Sequence, residues 1–448
     1  MQFSVAGGVP LHGTAAVSGS KNAALPMMAA AILADGPVRL ANAPELTDMR
    51  TMAMLLRELG VSVCRTAEDL CMESVDPRPV RARYGLVRRM RAGFCVLGPL
   101  VARRCKAVVP LPGGCQIGDR PVDLHLRGLA ALGADVRLDR GYVVASARRL
   151  RGAKIDLSGP RGPSVTGTAN VLMAAVLARG TTVLHGAAQE PEIVDLGELL
   201  NAMGARIEGL GTATLEVRGV ERLNGASHRV IPDRIEAATL LLAAAITGGS
   251  ATVTNVCPEH LSLVLEKLQA AVARITVGQI ANLPAQEMAP GRSRQVGNPP
   301  HITLTADGPP QPVDVVAAPY PGFPTDLQAQ WTALMSLAQG TSVVEDRIFP
   351  ARFRHVAELN RLGARIECRE GRAIVTGPAR LTGTRVTASD LRASAALVLA
   401  GLAASETTVV DRIRHLDRGY ERLEAKLAQL GARILRTPSR TRTSWAER

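Results

Sequence analysis

The sequence predicts an α/β protein of two domains, assembled from six repeated helix-strand-helix-strand units, three per domain. Three observations lead there. At 448 residues the chain exceeds what one hydrophobic core holds, which favours two domains of about 200 residues each. A Leu-rich amphipathic helix, closed by a glycine and followed by an alternating strand, recurs along the chain. A helix of small residues, a short turn and a further strand precede most of those copies.

The copies are LRELGVSV around Gly60, LAALGADV around Gly133, LNAMGARI around Gly204, LQAAVARI around Val272, LNRLGARI around Gly363 and LAQLGARI around Gly431. A glycine after a helix suits a left-handed C-terminal cap, and the β-branched residues beyond it suit a strand. The second element reads AAAILADGPVRL, MAAVLARGTTVL, LAAAITGGSATV, LMSLAQGTSVV and LVLAGLAASETTVV. A fixed period of this kind is an internal structural repeat.

Successive copies lie 73, 71, 68, 91 and 68 residues apart. The long interval predicts an insertion in the fourth unit, assigned to residues 279–300 (QIANLPAQEMAPGRSRQVGNPP), a Pro-, Gly- and Gln-bearing stretch without periodicity that reads as a surface loop. The same unit carries Val272 where the others carry glycine. The middle of the array falls in HRVIPDRIE, which has the polar, Pro-bearing character of a crossover. The domains are therefore expected at 21–231 and at 1–20 with 232–435, followed by a basic, disordered tail at 436–448. Two similar domains facing each other would hold a ligand at their interface.

Composition narrows the function. Aromatic residues are 2%, which removes the stacking surfaces of a single-strand nucleic-acid binder. The formal charge is +13, yet only five of the 53 basic residues are lysine (Lys21, Lys106, Lys154, Lys267, Lys426) and the arginines are scattered rather than clustered. That reads as an anionic substrate, not a nucleic-acid surface. Seven cysteines (64, 71, 95, 105, 115, 257, 368) form neither CxxC pairs nor Cys/His zinc spacings, which predicts reduced thiols and no metal. No signal peptide and no membrane-spanning run is legible, so a cytoplasmic location is expected.

Several motifs then occur in one order: SGSKNAALPMMAAAIL (18–33), LPGGCQIGDRPVDLH (111–125), EPEIVD (190–195), FPTDLQAQ (323–330), ASDLRASAALVLAG (388–401) and HLDRGYE (415–421). Together they resemble the UDP-N-acetylglucosamine 1-carboxyvinyltransferase family of enolpyruvyl transferases over essentially the whole chain. The resemblance implies transfer of the enolpyruvyl group of phosphoenolpyruvate to the 3-hydroxyl of UDP-N-acetylglucosamine, at the entry to peptidoglycan synthesis. It also implies two inside-out α/β barrels and no metal or organic cofactor. The implied partners are these two small molecules, with a monomer expected.

Such a reaction needs an acid for the vinyl carbon, a base for the sugar hydroxyl, and cations for phosphate and carboxylate. Cys115 is the acid candidate: a thiol stays largely protonated at neutral pH, nearby arginine can tune it, and Gly113–Gly114 allow close approach to ligand. The resemblance adds that the equivalent cysteine forms an adduct with phosphoenolpyruvate and is alkylated by fosfomycin. Cys95 and Cys105 sit in apolar sequence and read as buried spectators. Asp326 is the base candidate, or a helix N-cap, or both. By resemblance, Lys21, Asn22, Arg120, Asp390, Arg392 and Arg418 face phosphoenolpyruvate. For Asp390 and Arg392 a purely structural ion pair is the competing reading. Arg412 and Arg414 read as surface charges.

For the nucleotide sugar, the resemblance implies Asn22, Arg91, the segment Arg120, Pro121, Val122, Asp123 and Leu124, then Ser164, Val165, Asp326 and Ile348. Two departures stand out. Several relatives carry lysine two positions before the serine, where this chain has Gly162 with Arg161 beside it. Arg161 is expected to supply the missing charge. The family's Phe-Glu-Asn-Arg-Phe is FPARF here (349–353). These changes keep open a different uridine nucleotide as acceptor, or a divergent second copy of low activity. The related 5-enolpyruvylshikimate-3-phosphate synthase lacks the cysteine loop and is disfavoured.

Overall fold

In this computed structural model, residues 1–113, 122–279 and 300–438 are described. Five helices are buried on nearly every side: Lys21–Ala30, Val165–Ala175, Arg234–Ile246, Gln328–Met335 and Leu391–Ala403. A helix that is apolar around its whole circumference belongs in a protein interior. Their small residues let helices approach closely. A Cβ at Gly98, in Leu97–Arg104, would lie 2.1 Å from the Asn170 carbonyl oxygen of the neighbouring helix.

The strands lie outside these helices, and burial alternates along many of them, as in Ser250–Thr254 and Arg372–Thr376, which a half-covered sheet requires. Among the described residues there are five four-stranded sheets, one of three strands and one of two. One plan recurs. The strand after a buried helix pairs antiparallel with the second strand of a hairpin, as Thr341–Asp346 does with Arg372–Thr376, which in turn pairs with the edge strand Ile366–Arg369. A short parallel strand such as Val315–Ala317 flanks it on the other side. In the last sheet the hairpin position is taken by the chain's own start: Gln2–Ala6 lies between Thr407–Asp411 and Arg433–Thr437.

The six helix-to-strand boundaries explain themselves chemically. Gly60, Gly133, Gly204, Gly363 and Gly431 all take positive φ, between 75° and 104°, the left-handed cap glycine adopts without cost. Val272 instead turns with φ of −146°. The insertion expected at 279–300 is bounded more tightly than predicted. Gln279 and Pro300 are paired ends of the antiparallel strands Ala273–Gln279 and Pro300–Ala306, and residues 280–299 lie outside the described residues. The basic tail also starts later than expected. Arg436 and Thr437 finish a strand, and Arg436 bonds both Asp417 and Glu424. The rest of the tail, from residue 439, lies outside the described residues.

The buried hydrophobics form two clusters. One runs from Ala23 to Val230, and the other combines Phe3–Val17 with Ile235–Ile434. Two short segments join them side by side: Ser20 N–H donates to the Ile231 carbonyl at 2.7 Å, and Asp233 N–H donates to that of Ser18 at 2.8 Å. Among the described residues no helix is long and apolar enough to cross a membrane.

Candidate active site

Between the two clusters opens a cavity of about 530 Å³, lined by nine basic side chains against six acidic ones. Helix ends reinforce that sign. The starts of Lys21–Ala30, Asp123–Ala131, Val165–Ala175, Arg234–Ile246 and Leu391–Ala403 all reach its wall through their first residues. Free N–H groups and the positive pole of each helix attract anions there.

On one wall a buried carboxylate holds two cations from opposite halves of the chain. Asp48, 4% exposed, accepts from Lys21 Nζ at 3.2 Å and from Arg418 Nε at 2.9 Å. Ser20 caps the helix that presents Lys21, accepting from Ala23 N–H at 3.4 Å.

Across the cavity Asp326 is clamped. Its Oδ1 accepts from Arg352 Nη1 and its Oδ2 from Arg392 Nη2, each at 2.8 Å. Burial opposes ionisation of Asp326, but the guanidiniums of Arg392 and Arg352 outweigh it and hold the carboxyl well below its usual range. Asp326 therefore does not cap a helix; both of its oxygens are engaged by arginine. Arg392 stacks over Tyr420 at 5.2 Å, and among the described residues its Nε and Nη1 meet no hydrogen-bond partner. The Asp390–Arg392 ion pair anticipated from sequence is not formed. Asp390 caps its own helix, accepting from the backbone N–H groups of Arg392 and Ala393 at 3.0 and 3.1 Å. The caps leave the Arg392 side chain free to reach Asp326.

On the far side Ser164 caps Val165–Ala175, its Oγ accepting from Gly167 N–H at 3.1 Å. Asn22, Arg91, Asp123, Leu124, Arg161 and Val165 also line the cavity, whereas Val122 packs half-buried against the first cluster. Ile348 reaches the cavity with its own N–H turned to Asp346 Oδ1 at 3.0 Å. Arg161 is exposed. Gly162 beside it has φ of +93°, and a Cβ there would meet Pro319 Cγ at 2.6 Å. A longer side chain at 162 would force the two halves apart, which gives a steric reason for glycine there.

Cys115, Arg120 and Pro121 lie outside the described residues; the chain touches the cavity on either side of them, at Gly113 and Asp123. The other cysteines are free thiols. Cys95 is fully buried, and burial pushes its thiol up to about 12. Cys105, expected to be buried, is exposed. It ends helix Leu97–Arg104 with φ of 58°, a turn that swings its side chain to the surface. Arg412 and Arg414 are exposed, as read from sequence.

A family model for EPSP synthase (3-phosphoshikimate 1-carboxyvinyltransferase) matches residues 5–427. A UDP-N-acetylglucosamine 1-carboxyvinyltransferase of Akkermansia muciniphila is 46% identical over 97% of this chain and 98% of its own length. The chain belongs to the enolpyruvyl transferase family. Among solved structures, the enolpyruvyl transferase NikO from Streptomyces tendae is similar at a TM-score of 0.84, with 26% identity across 97% of this chain and 98% of that one. An EPSP synthase of Acinetobacter baumannii shares the fold at a TM-score of 0.69 and 17% identity, covering 97% and 100%.

Three residues of this enolpyruvyl transferase escaped the sequence reading. Asp48 lies in an ordinary helix start, Thr47–Glu58, and nothing local marks it. Arg352 stands inside FPARF, where a lone arginine in sequence carries no sign that it is 8% exposed and bonded to Asp326. Arg234 lies within the crossover stretch and grips Glu192 through both carboxylate oxygens, at 3.0 and 3.3 Å, tying the two halves together at the cavity. Glu190, nearby and buried, has an Oε2 without a partner among the described residues. Burial pushes its carboxyl up, with Glu192 adding to the effect.

Proposed function

We propose that this enolpyruvyl transferase moves the enolpyruvyl group of phosphoenolpyruvate to the 3-hydroxyl of UDP-N-acetylglucosamine, with phosphate leaving. One observation carries the acceptor: the relative named for that reaction matches 46% of residues over nearly the whole of both chains. The basic cavity and its converging helix starts support two polyanionic substrates.

The chemistry divides among side chains. The sugar oxygen bonds to C2 of phosphoenolpyruvate while C3 takes a proton. The C2–O bond to phosphate then breaks and C3 returns a proton, leaving a vinyl ether. Cys115 is the acid for C3 in this reading, and Asp326 is the base for the sugar hydroxyl. Asp326 is a poor base while two guanidiniums hold it. Anionic substrate competes for Arg392 and Arg352, so binding loosens the clamp and raises basicity as the hydroxyl arrives. Lys21, Arg418 and Arg120, with Arg392, take the phosphate and carboxylate charges. Asn22 stands between the two substrates, and Asp390 serves by fixing the helix that carries Arg392. The uridine segment 120–124, Arg91, Arg161, Ser164, Val165 and Ile348 hold the nucleotide sugar.

The same reading extends to the whole protein. It has two domains, 21–231 and 1–20 with 232–435, each an inside-out α/β barrel of three units, working as a cytoplasmic monomer at the first committed step of peptidoglycan synthesis. Alkylation of Cys115 by fosfomycin belongs to it.

Phosphate release from phosphoenolpyruvate, with UDP-N-acetylglucosamine as acceptor, tests the reading in wild type and Cys115→Ser. Release only in the wild type is expected. Release by wild type with another uridine nucleotide, and none with this one, would move the acceptor assignment.

A further inference from the structure

Behind the cavity wall lies a buried polar relay that the reaction above does not use. Its members are Asn170, fully buried in helix Val165–Ala175, and His125, 1% exposed in helix Asp123–Ala131. Two backbone groups fix the orientation of the Asn170 amide. Its Oδ1 accepts from Gly98 N–H at 2.6 Å, and its Nδ2 donates to the Phe94 carbonyl at 2.9 Å.

That same Nδ2 lies 3.0 Å from His125 Nδ1. An amide nitrogen donates and does not accept, so Nδ1 must be the acceptor and carries no hydrogen. Burial, helped by the charge of Arg91, pushes His125 down to about 3, so the ring is neutral at ordinary pH. Its hydrogen therefore sits on Nε2. The Phe94 ring packs against the imidazole in a T-shaped contact, 5.1 Å between centroids.

His125 Nε2 is 3.3 Å from Thr166 Oγ1. With hydrogen on Nε2, Thr166 is the acceptor in that contact, and its own hydroxyl hydrogen must turn elsewhere. Thr166 lines the cavity in the first turn of Val165–Ala175, two residues beyond Ser164, whose Oγ accepts from Gly167 N–H within the helix cap.

We propose that the Thr166 hydroxyl donates a hydrogen bond to an anionic diphosphate oxygen of the nucleotide sugar, with His125 and Asn170 as positioning residues that hold it in the donor sense. This rests on the reading that a uridine diphosphate binds against this helix start. An acceptor group is what a hydroxyl fixed as donor selects, and the positive helix end beside it selects a charged one.

The test compares wild type, Thr166→Val and Thr166→Ser, using calorimetric binding of UDP-N-acetylglucosamine and of UDP together with steady-state kinetics. Thr166→Val, which keeps the shape and removes the hydroxyl, should weaken binding of both ligands about tenfold, as loss of a charge-assisted hydrogen bond does. It should raise the KM for UDP-N-acetylglucosamine by a similar factor, and Thr166→Ser should bind as wild type does. Nitrogen NMR of His125 in the intact protein should report hydrogen on Nε2. Equal binding by Thr166→Val and wild type, failure of serine to restore binding, or hydrogen on Nδ1 would each overturn the proposal. Wild type that binds UDP but not UDP-N-acetylglucosamine would overturn the acceptor assignment while leaving Thr166 testable with UDP. Wild type that binds neither would overturn both.

Discussion

Asp326 and Arg392 are 66 positions apart in sequence, yet Asp326 Oδ2 accepts from Arg392 Nη2 at 2.8 Å on the cavity wall. Burial alone would raise the carboxyl, and Arg392 with Arg352 instead holds it well below its usual range. A depressed carboxyl adds stability that is present above its unfolded value, near 4, and is lost as pH falls through the folded value. Asp326→Asn should therefore cost about 3–5 kcal/mol near neutral pH, because it leaves two guanidiniums short of a counter-charge. The difference from wild type should shrink as pH drops below about 4. Urea unfolding of both proteins across that range checks it, and a constant difference would refute the electrostatic account.

Arg352 bonds Thr325 Oγ1 at 3.0 Å as well as Asp326, so its guanidinium serves two acceptors at once. Both bonds leave from Nη1, at the far end of a side chain longer than lysine, so an ammonium on the shorter stem would fall short of them. Arg352→Lys and Arg352→Ala should both lower kcat/KM for phosphoenolpyruvate by about 10²-fold, the cost of one lost charge-stabilising donor. Initial rates at fixed nucleotide sugar measure this. Full activity in the lysine variant would show that charge alone suffices.

The repeat was legible because its signal is local. A glycine that must adopt positive φ, an Ala-rich helix and a β-branched strand are each written in neighbouring residues, and Gly363 with φ of 103° repeats what Gly60 does. The anion-binding character of the site was legible through Lys21 and Arg418, which sit in recognisable motifs. Asp48 was not, since its role exists only where Thr47–Glu58 meets Arg418, 370 residues later. Cys105 misled because apolar neighbours in sequence say nothing of the left-handed turn that exposes it.

Val272 makes the local rule testable. Gly363→Ala should destabilise by about 1 kcal/mol or more, because φ of 103° penalises a Cβ and that Cβ would lie 2.8 Å from the Arg380 carbonyl oxygen. Val272→Gly should also destabilise, by about 2 kcal/mol, although it restores the repeat's consensus. Val272 turns at negative φ, where glycine gains nothing, and its side chain is 7% exposed. Thermal melts of the two variants decide the point, and stabilisation by Val272→Gly would contradict a turn at negative φ.

Glu190 should make stability fall as pH rises. Its carboxyl is pushed up by burial first and by Glu192 next, so the folded protein holds that proton to higher pH than the unfolded chain does. Stability from the proton is complete below the unfolded value and is lost as pH climbs through the folded one. Glu190→Gln keeps the shape without the charge. Its Tm should exceed that of wild type at pH 8 and match it near pH 4. An unchanged Tm difference at the two pH values would mean that the carboxyl ionises freely.

The family resemblance places a lysine, in several relatives, where this chain has Gly162, with Arg161 beside it. Arg161 is exposed at the cavity edge, where we propose that it supplies the charge, while Gly162 gives clearance: its φ is +93° and a Cβ would come within 2.6 Å of Pro319 Cγ. Arg161→Ala should raise the KM for UDP-N-acetylglucosamine about tenfold, in line with loss of one charge-assisted hydrogen bond, and leave the KM for phosphoenolpyruvate alone. Restoring lysine by Gly162→Lys in that background should not recover affinity, because the added side chain forces Pro319, and with it the opposite wall, outward. Recovery would mean that the wall yields at little cost and that the position of the charge, not the clearance, separates this chain from those relatives.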